Sequence, residues 1–283
     1  MSVSAINRIK PPKWNYNAGM ISAPYNYWAK RAIALFPFSE VGGRVRDYQN
    51  KLVATTTGPW ITSPFGPAQD FNVNGDKATT SNISLIDSTH ITLWVRVILD
   101  PGIPSQDSVI QKGWSAHESP FYTWAFLLTA AQYRWVLASA SATSTLNSTT
   151  NYVTSVWLDF IGTWDGVNQN IWIRRLDNGN TTKSTLAFSG SLRHASNIGI
   201  TVGGYRNFTE AAHFSIGAVG VWPYGFTDSE VLSFLKDPLG LFRPIWYDFP
   251  AIIRAPATTL PPGLGPDITD MIMQNAAMPA LVY

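Results

Sequence analysis

The chain is predicted to be all-β, a two-sheet antiparallel jelly-roll sandwich with one short helix and extended N- and C-terminal arms. Three observations carry this prediction. Between Ala32 and Pro244 short apolar or alternating runs follow one another, each closed by turn residues. From His90 to Leu99 the alternation has period two, the signature of a strand with two unlike faces. Only one stretch carries the boundary signals of a helix. The expected organisation is an N-terminal arm over 1–31, a sandwich domain over 32–243 and a Pro-rich C-terminal arm over 244–283.

The elements follow in order. Ala32 to Phe38 is an apolar strand, followed by a loop with Gly42, Gly43, Asp47 and Asn50. Asn74-Gly75 marks a tight reversal, because both residues tolerate positive φ. In the strand from His90, Ile91, Leu93, Val95, Val97 and Leu99 share one face. Thr92, Trp94, Arg96 and Ile98 share the other, which is expected to be the wetter one. Strands are expected at Ser108 to Gln111, Tyr122 to Leu128 and Tyr133 to Ser139. Val156 to Trp164 runs into Asp165-Gly166 and returns through Asn170 to Arg175, which meets Asp177-Asn178-Gly179. Ile198 to Gly203 and Phe214 to Trp222 complete the set. The helix begins at Thr227, whose spacing to Glu230 is that of a capping box, and Asp237-Pro238 stops it.

Composition narrows the function. Of 283 residues, 45% are apolar and 13% charged, so a large core is available. The formal charge of +2 argues against a nucleic-acid binder working through its whole surface. With no cysteine there is no disulfide, thiol nucleophile or thiolate metal site. Met1 to Lys13 lacks the apolar core of a secretory signal, and the apolar run around Trp124 to Ala131 is too short to span a bilayer. The expectation is a chain that is neither exported by the ordinary route nor embedded in a membrane.

The ends differ from the body. Residues 1–31 hold Arg8, Lys10, Lys13, Lys30 and Arg31 and no acid, interleaved with Trp14, Tyr16, Tyr25, Tyr27 and Trp28. Past Phe242, prolines at 244, 250, 256, 261, 262 and 266 prevent regular structure. The final stretch from Ile268 carries Met271, Met273, Met278 and Tyr283, and methionine's flexible thioether fills irregular gaps. Two readings stand side by side: the ends pack on their own sandwich, or they anchor on other subunits. Trp14, Tyr16, Tyr25, Trp28, Met271, Met273, Met278 and Tyr283 are the candidate subunit-interface residues.

The order of signals in the body resembles the laminin G-like, concanavalin A-like jelly-roll family. Val45-Arg46-Asp47-Tyr48 with Asn50 is similar to that family's early turn, and Ala68 to Gly75 to its F-D-G stretch. Ile91 to Val95, Ser108 to Gly113, Trp164-Asp165-Gly166 with Ile171-Trp172-Ile173 and Asn178-Gly179, Gly199 to Gly204, and Phe214 to Trp222 with the helix from Thr227 follow in the family's order. The likeness covers roughly the middle three quarters of the chain, the span of one domain. Asp237 to Pro244, DPLGLFRP, is similar to the ending of stand-alone modules of this family in bacteriophage.

That resemblance brings hydrolase, calcium and sugar-binding readings with it. Glycoside hydrolases of this fold need two carboxylates across a glycosidic bond. The glutamates here, Glu40, Glu118, Glu210 and Glu230, have no such partners, so no enzyme is expected. Asp70, Asp76, Asp165 and Asn168 are the oxygen donors weighed for calcium, and neither a metal nor a cofactor is expected. The four histidines, His90, His117, His194 and His213, lack ligand spacing. Trp114, Tyr122 and Trp124 are the candidate glycan contacts, against the alternative that they are core. The functional expectation is a non-enzymatic phage virion protein, a capsid decoration or cement subunit assembled in the host cytoplasm. Its expected partners are the major capsid protein, other virion subunits and copies of itself. The alternative is a tail or fibre adhesin recognising host-surface glycans.

Overall fold

The computed structural model describes residues 25–38, 44–47, 52–73, 75–81, 90–101, 106–113, 122–129, 131–139, 142–193, 198–204 and 213–242. All belong to one unit, Met1–Arg243; Pro244–Tyr283 separates as a second unit, outside the described residues. In chain order the elements begin with α1 (Tyr25–Arg31), β1 (Ala34–Phe36), β2 (Arg44–Arg46), β3 (Val53–Thr56), β4 (Trp60–Ser63), β5 (Gly66–Asp70), β6 (Ala78–Thr80) and β7 (Ile91–Leu99). Then come β8 (Gln106–Gly113), β9 (Tyr122–Thr129), β10 (Gln132–Ala138), β11 (Thr143–Asn151), β12 (Trp157–Trp164) and β13 (Asn168–Arg175). β14 (Thr181–Ala187), β15 (Ile200–Val202), β16 (Phe214–Trp222), α2 (Asp228–Phe234) and a 3-10 helix (Pro238–Phe242) close the series.

Sheet I runs β14-β13-β12-β7-β16-β5-β4, and β1 pairs with β16 alongside. Sheet II runs β11-β10-β9-β8-β15-β6-β3-β2. Every pairing is antiparallel, as the expected sandwich requires. The turns work as predicted: Gly75, Gly166 and Gly179 take φ of 87°, 88° and 74°, which a side chain would resist. Between the sheets lies the core, with β7 contributing Ile91, Leu93, Val95, Val97 and Leu99. At its centre Phe126 meets Trp135 and Phe160 meets Tyr133, each with ring centroids 4.8 Å apart. Those rings press on β12 at Gly162, where a Cβ would fall 2.7 Å from Phe126 and 2.8 Å from Trp135.

The face of β7 expected to be wetter is dry. Trp94, Ile161, Trp172, Ala218 and Trp222 on the outside of sheet I form a second core with Trp28, Val231, Phe234, Leu241 and Phe242. The helices thus cap one half of this face. Helix α2 is held as predicted, with Thr227 and Glu230 in a reciprocal capping box. Helix α1 was not foreseen. Tyr25–Arg31, assigned to the N-terminal arm, is part of the folded body, because Trp28 has an apolar slot between Phe226 and Phe234.

Sequence reading also passed over β11 and β14, whose Ser- and Thr-rich sequences lack a strong apolar alternation. They are the outermost strands of sheets II and I on the same side, and side chains join them. Ser184 Oγ accepts from the Thr149 N–H at 3.0 Å, and the hydroxyls of Thr150 and Thr182 are 2.6 Å apart. Deeper in, the fully buried Gln169 of β13 donates to the Trp135 carbonyl of β10 at 2.5 Å and accepts from Ser144 of β11 at 2.7 Å. Each edge therefore shields the other from stray strand pairing.

Candidate functional site

The half of sheet I's outer face that the helices leave bare holds the most developed polar and aromatic arrangement among the described residues. Register places Arg96 beside Asp159 on β12 and Ala218 on β16, and Asp159 beside Arg174 on β13. One step further along, Trp157, Ile98, Ser215 and Asp70 line up across β12, β7, β16 and β5. Cross-strand partners share a face, so both rows point outward together.

The first row is bound tightly. Asp159 receives Arg96 Nε at 2.9 Å, Arg96 Nη2 at 2.8 Å and Trp94 Nε1 at 3.0 Å. Arg96 is 4% exposed and Asp159 wholly buried. Such a bidentate pair with a third donor satisfies the charges that burial would otherwise leave stranded. The turn of the β4–β5 hairpin folds over it and puts Phe65 above the guanidinium, 4.7 Å from carbon to ring centroid.

Trp157 starts the second row. The far edge of its six-membered ring lies 3.4 Å from where a Cβ on Gly217 would be. Gly217 is the extra residue of a bulge on β16, two strands away across β7. Strands are about 4.8 Å apart, so the indole must lie down across β7 to reach it. Phe65 stands against it at 86° and 5.8 Å, and is 41% exposed. The result is a floor and a wall of aromatic rings, braced from beneath by the ion pair.

Polar groups border this corner. Arg174 is half-buried, and its side chain makes no hydrogen bond or ion pair among the described residues. On the opposite side Ser215 Oγ donates to Asp70 at 3.0 Å. Burial raises the Asp70 carboxyl above its ordinary value, and the nearby Asp100 charge adds to the shift while Ser215 opposes it. Among the described residues no three His, Asp or Glu side chains gather as a metal cluster, and no helix is long and apolar enough to cross a membrane. Asp165, weighed as a calcium donor, instead accepts the N–H groups of Val167 at 2.9 Å and Asn168 at 2.6 Å and shapes its turn. Asp76 accepts from Val73 N–H in the same way.

The residues singled out from sequence fall elsewhere. Trp14, Tyr16, Trp114, Met271, Met273, Met278 and Tyr283 lie outside the described residues, and Tyr25 is the first residue of α1. Trp28, a candidate subunit contact, is 3% exposed within its own domain, and its carbonyl accepts from Trp222 Nε1 at 2.8 Å. Trp124, a candidate glycan contact, is fully buried in the main core. Its neighbour Tyr122, 7% exposed, sits with Ala125, Leu127 and Val136, because a bulge between β8 and β9 shifts it out of alternation with Trp124. Neither ring offers a sugar its face, as strand aromatics in a sandwich serve the core first. The residues overlooked were Phe65 and Trp157. Phe65 had a signal, an aromatic within the turn-forming Ser63-Pro64-Phe65-Gly66, where no core position exists.

Comparison with protein-family models finds no match, and no curated protein matches the chain. Solved structures share the fold. A Trypanosoma rangeli sialidase in complex with sialic acid superposes with a TM-score of 0.56 at 14% identity, over 75% of this chain and 34% of that one. A second structure of Trypanosoma rangeli sialidase gives 0.55 at 12%, over 75% and 33%. The receptor-binding domain of botulinum neurotoxin mosaic serotype C/D gives 0.57 at 12% identity, over 75% of this chain and 52% of that one. The chain thus spans a third to a half of these proteins. At such identities the likeness establishes an all-β sandwich fold and nothing finer.

Proposed function

We propose that this chain is a non-enzymatic structural protein of a phage virion, a capsid decoration or cement subunit attached through its terminal segments. The observation behind this reading is the self-closure of the body. Half of one outer face is capped by α1 and α2, and one pair of edges is latched by hydroxyls. Such a body needs no partner to fold, whereas the sticky stretches rich in aromatics and methionine lie before and after it in sequence. Burial of apolar side chains on neighbouring subunits, at about 25 cal/mol per Å², is multiplied when many copies act together. Removal of Leu264 to Tyr283 is expected to abolish co-sedimentation with particles and leave the circular dichroism spectrum unchanged. A truncated protein that still sediments with particles refutes attachment through that segment.

A second reading is a carbohydrate-binding adhesin of a tail or fibre. Its support is the pairing of exposed Phe65 with half-buried Trp157, together with neighbours described as a sialidase bound to sialic acid and a toxin receptor-binding domain. A glycan array probed with the full chain tests it, and a blank array counts against it.

A further inference from the structure

We infer that the corner formed by Trp157 and Phe65 on the bare half of sheet I is a binding site for a pyranose ring. The inference rests on the carbohydrate-binding reading and moves its site away from Tyr122 and Trp124.

The argument is geometric. A pyranose has one face of C–H bonds whose partial positive charge suits the negative face of an aromatic ring. A floor serves this purpose only if its outer face is free and its tilt is set. The indole of Trp157 is half-buried, so part of it remains open to solvent, and its tilt is set because its far edge reaches the bulge at Gly217. A Cβ at 217 would sit in ordinary contact with that edge, so only a side chain longer than alanine would have to avoid it. The perpendicular wall at 5.8 Å limits the sugar to one orientation along the floor.

Rigidity is the second element. The wall would be mobile on a hairpin turn were it not seated on a guanidinium that cannot move. Arg96 is held by both oxygens of a buried carboxylate, so the ring above it is held too. Ordering these side chains before the ligand arrives removes an entropy loss on binding. This accounts for a buried ion pair at a place where an apolar pair would fill the same space.

The third element is the hydrogen-bonding rim. The half-buried Arg174 side chain brings donors with no partner among the described residues, and across the floor the half-buried Asp70 carboxylate, held by the buried Ser215 hydroxyl, supplies acceptors. Sugar hydroxyls both donate and accept, and a few such groups around an apolar floor are what orient a small ligand. Of the other half-buried large aromatics among the described residues, Trp60, Tyr152 and Phe188 pack against the main core and Tyr224 against the second core.

The test uses the full chain and its Phe65→Ala and Trp157→Ala variants, probed on an array of neutral, amino and acidic oligosaccharides. The strongest oligosaccharide is then titrated by calorimetry. Near-ultraviolet circular dichroism checks folding, and Phe65→Ala, at an exposed turn, keeps the test valid if Trp157→Ala unfolds. Binding weakened about tenfold or more by loss of a ring supports the site. Wild-type binding that a folded Phe65→Ala and Trp157→Ala both retain overturns the site and leaves the carbohydrate reading standing. A wild-type chain that binds no sugar overturns both.

Discussion

Replacing Asp159 with alanine should be the most destabilising single change on the outer face of sheet I. It removes the acceptor for three hydrogen bonds, from Arg96 Nε, Arg96 Nη2 and Trp94 Nε1, all within 3.0 Å. Arg96 is only 4% exposed, so water cannot replace the lost carboxylate without prising off Phe65. Leaving one member of a buried pair unpaired costs about 3–5 kcal/mol. The double replacement Arg96→Met with Asp159→Leu removes both charges and restores apolar packing, and should fall within about 1 kcal/mol of wild type or exceed it. Urea titration followed by tryptophan fluorescence gives both values, with an unchanged slope confirming that the native state stays intact. A loss below about 1 kcal/mol for Asp159→Ala would mean the pair is hydrated. The bracing of Phe65 and Trp157 would then have no basis.

Three further outcomes are expected. Gln169→Leu strands the Ser144 hydroxyl and the Trp135 carbonyl between the sheets, and should cost about 1–3 kcal/mol in a denaturant titration. Thr227→Ala breaks the capping box of α2 and should cost about 1 kcal/mol, with a matching fall in melting temperature. Asp70 has a folded-state pKa raised by burial and by Asp100, so its ionised form is disfavoured in the fold. Its favourable contribution is present when it is protonated and is lost as pH rises through the folded value. Asp70→Asn should therefore stabilise the protein at neutral pH by about 0.5 kcal/mol or less, solvent screening keeping the effect small. The gain should vanish in melts run below the ordinary aspartate range, and a gain that persists there would contradict the assigned cause.

The strands that sequence made legible are those whose burial is one-sided and apolar. β7, β9, β10, β12 and β16 were found because an inward apolar residue at every second position leaves a period that local reading detects. β11 and β14 escaped because their partners are hydroxyls on a strand of the other sheet. A threonine reads the same whether it faces water or another threonine. Helix α1 escaped for a related reason: no acid marks its first turn, and its main anchor, Trp28, has a slot only once Phe226 and Phe234 are in place. The same logic misplaced Tyr122 and Trp124. Clustering of aromatics in sequence says nothing about which side of a strand they occupy when a bulge intervenes.

The amino-acid order alone determined the class of this protein, its turns and its capped helix, because those depend on contacts within a few residues. Which face of sheet I is dry, and where rings remain open to solvent, was decided by segments far apart in the chain. Phe65 and Trp157 lie 92 positions apart and meet only because β5, β16, β7 and β12 are neighbours in one sheet. Local preference cannot encode such a meeting, since its energy exists only after both sheets have closed.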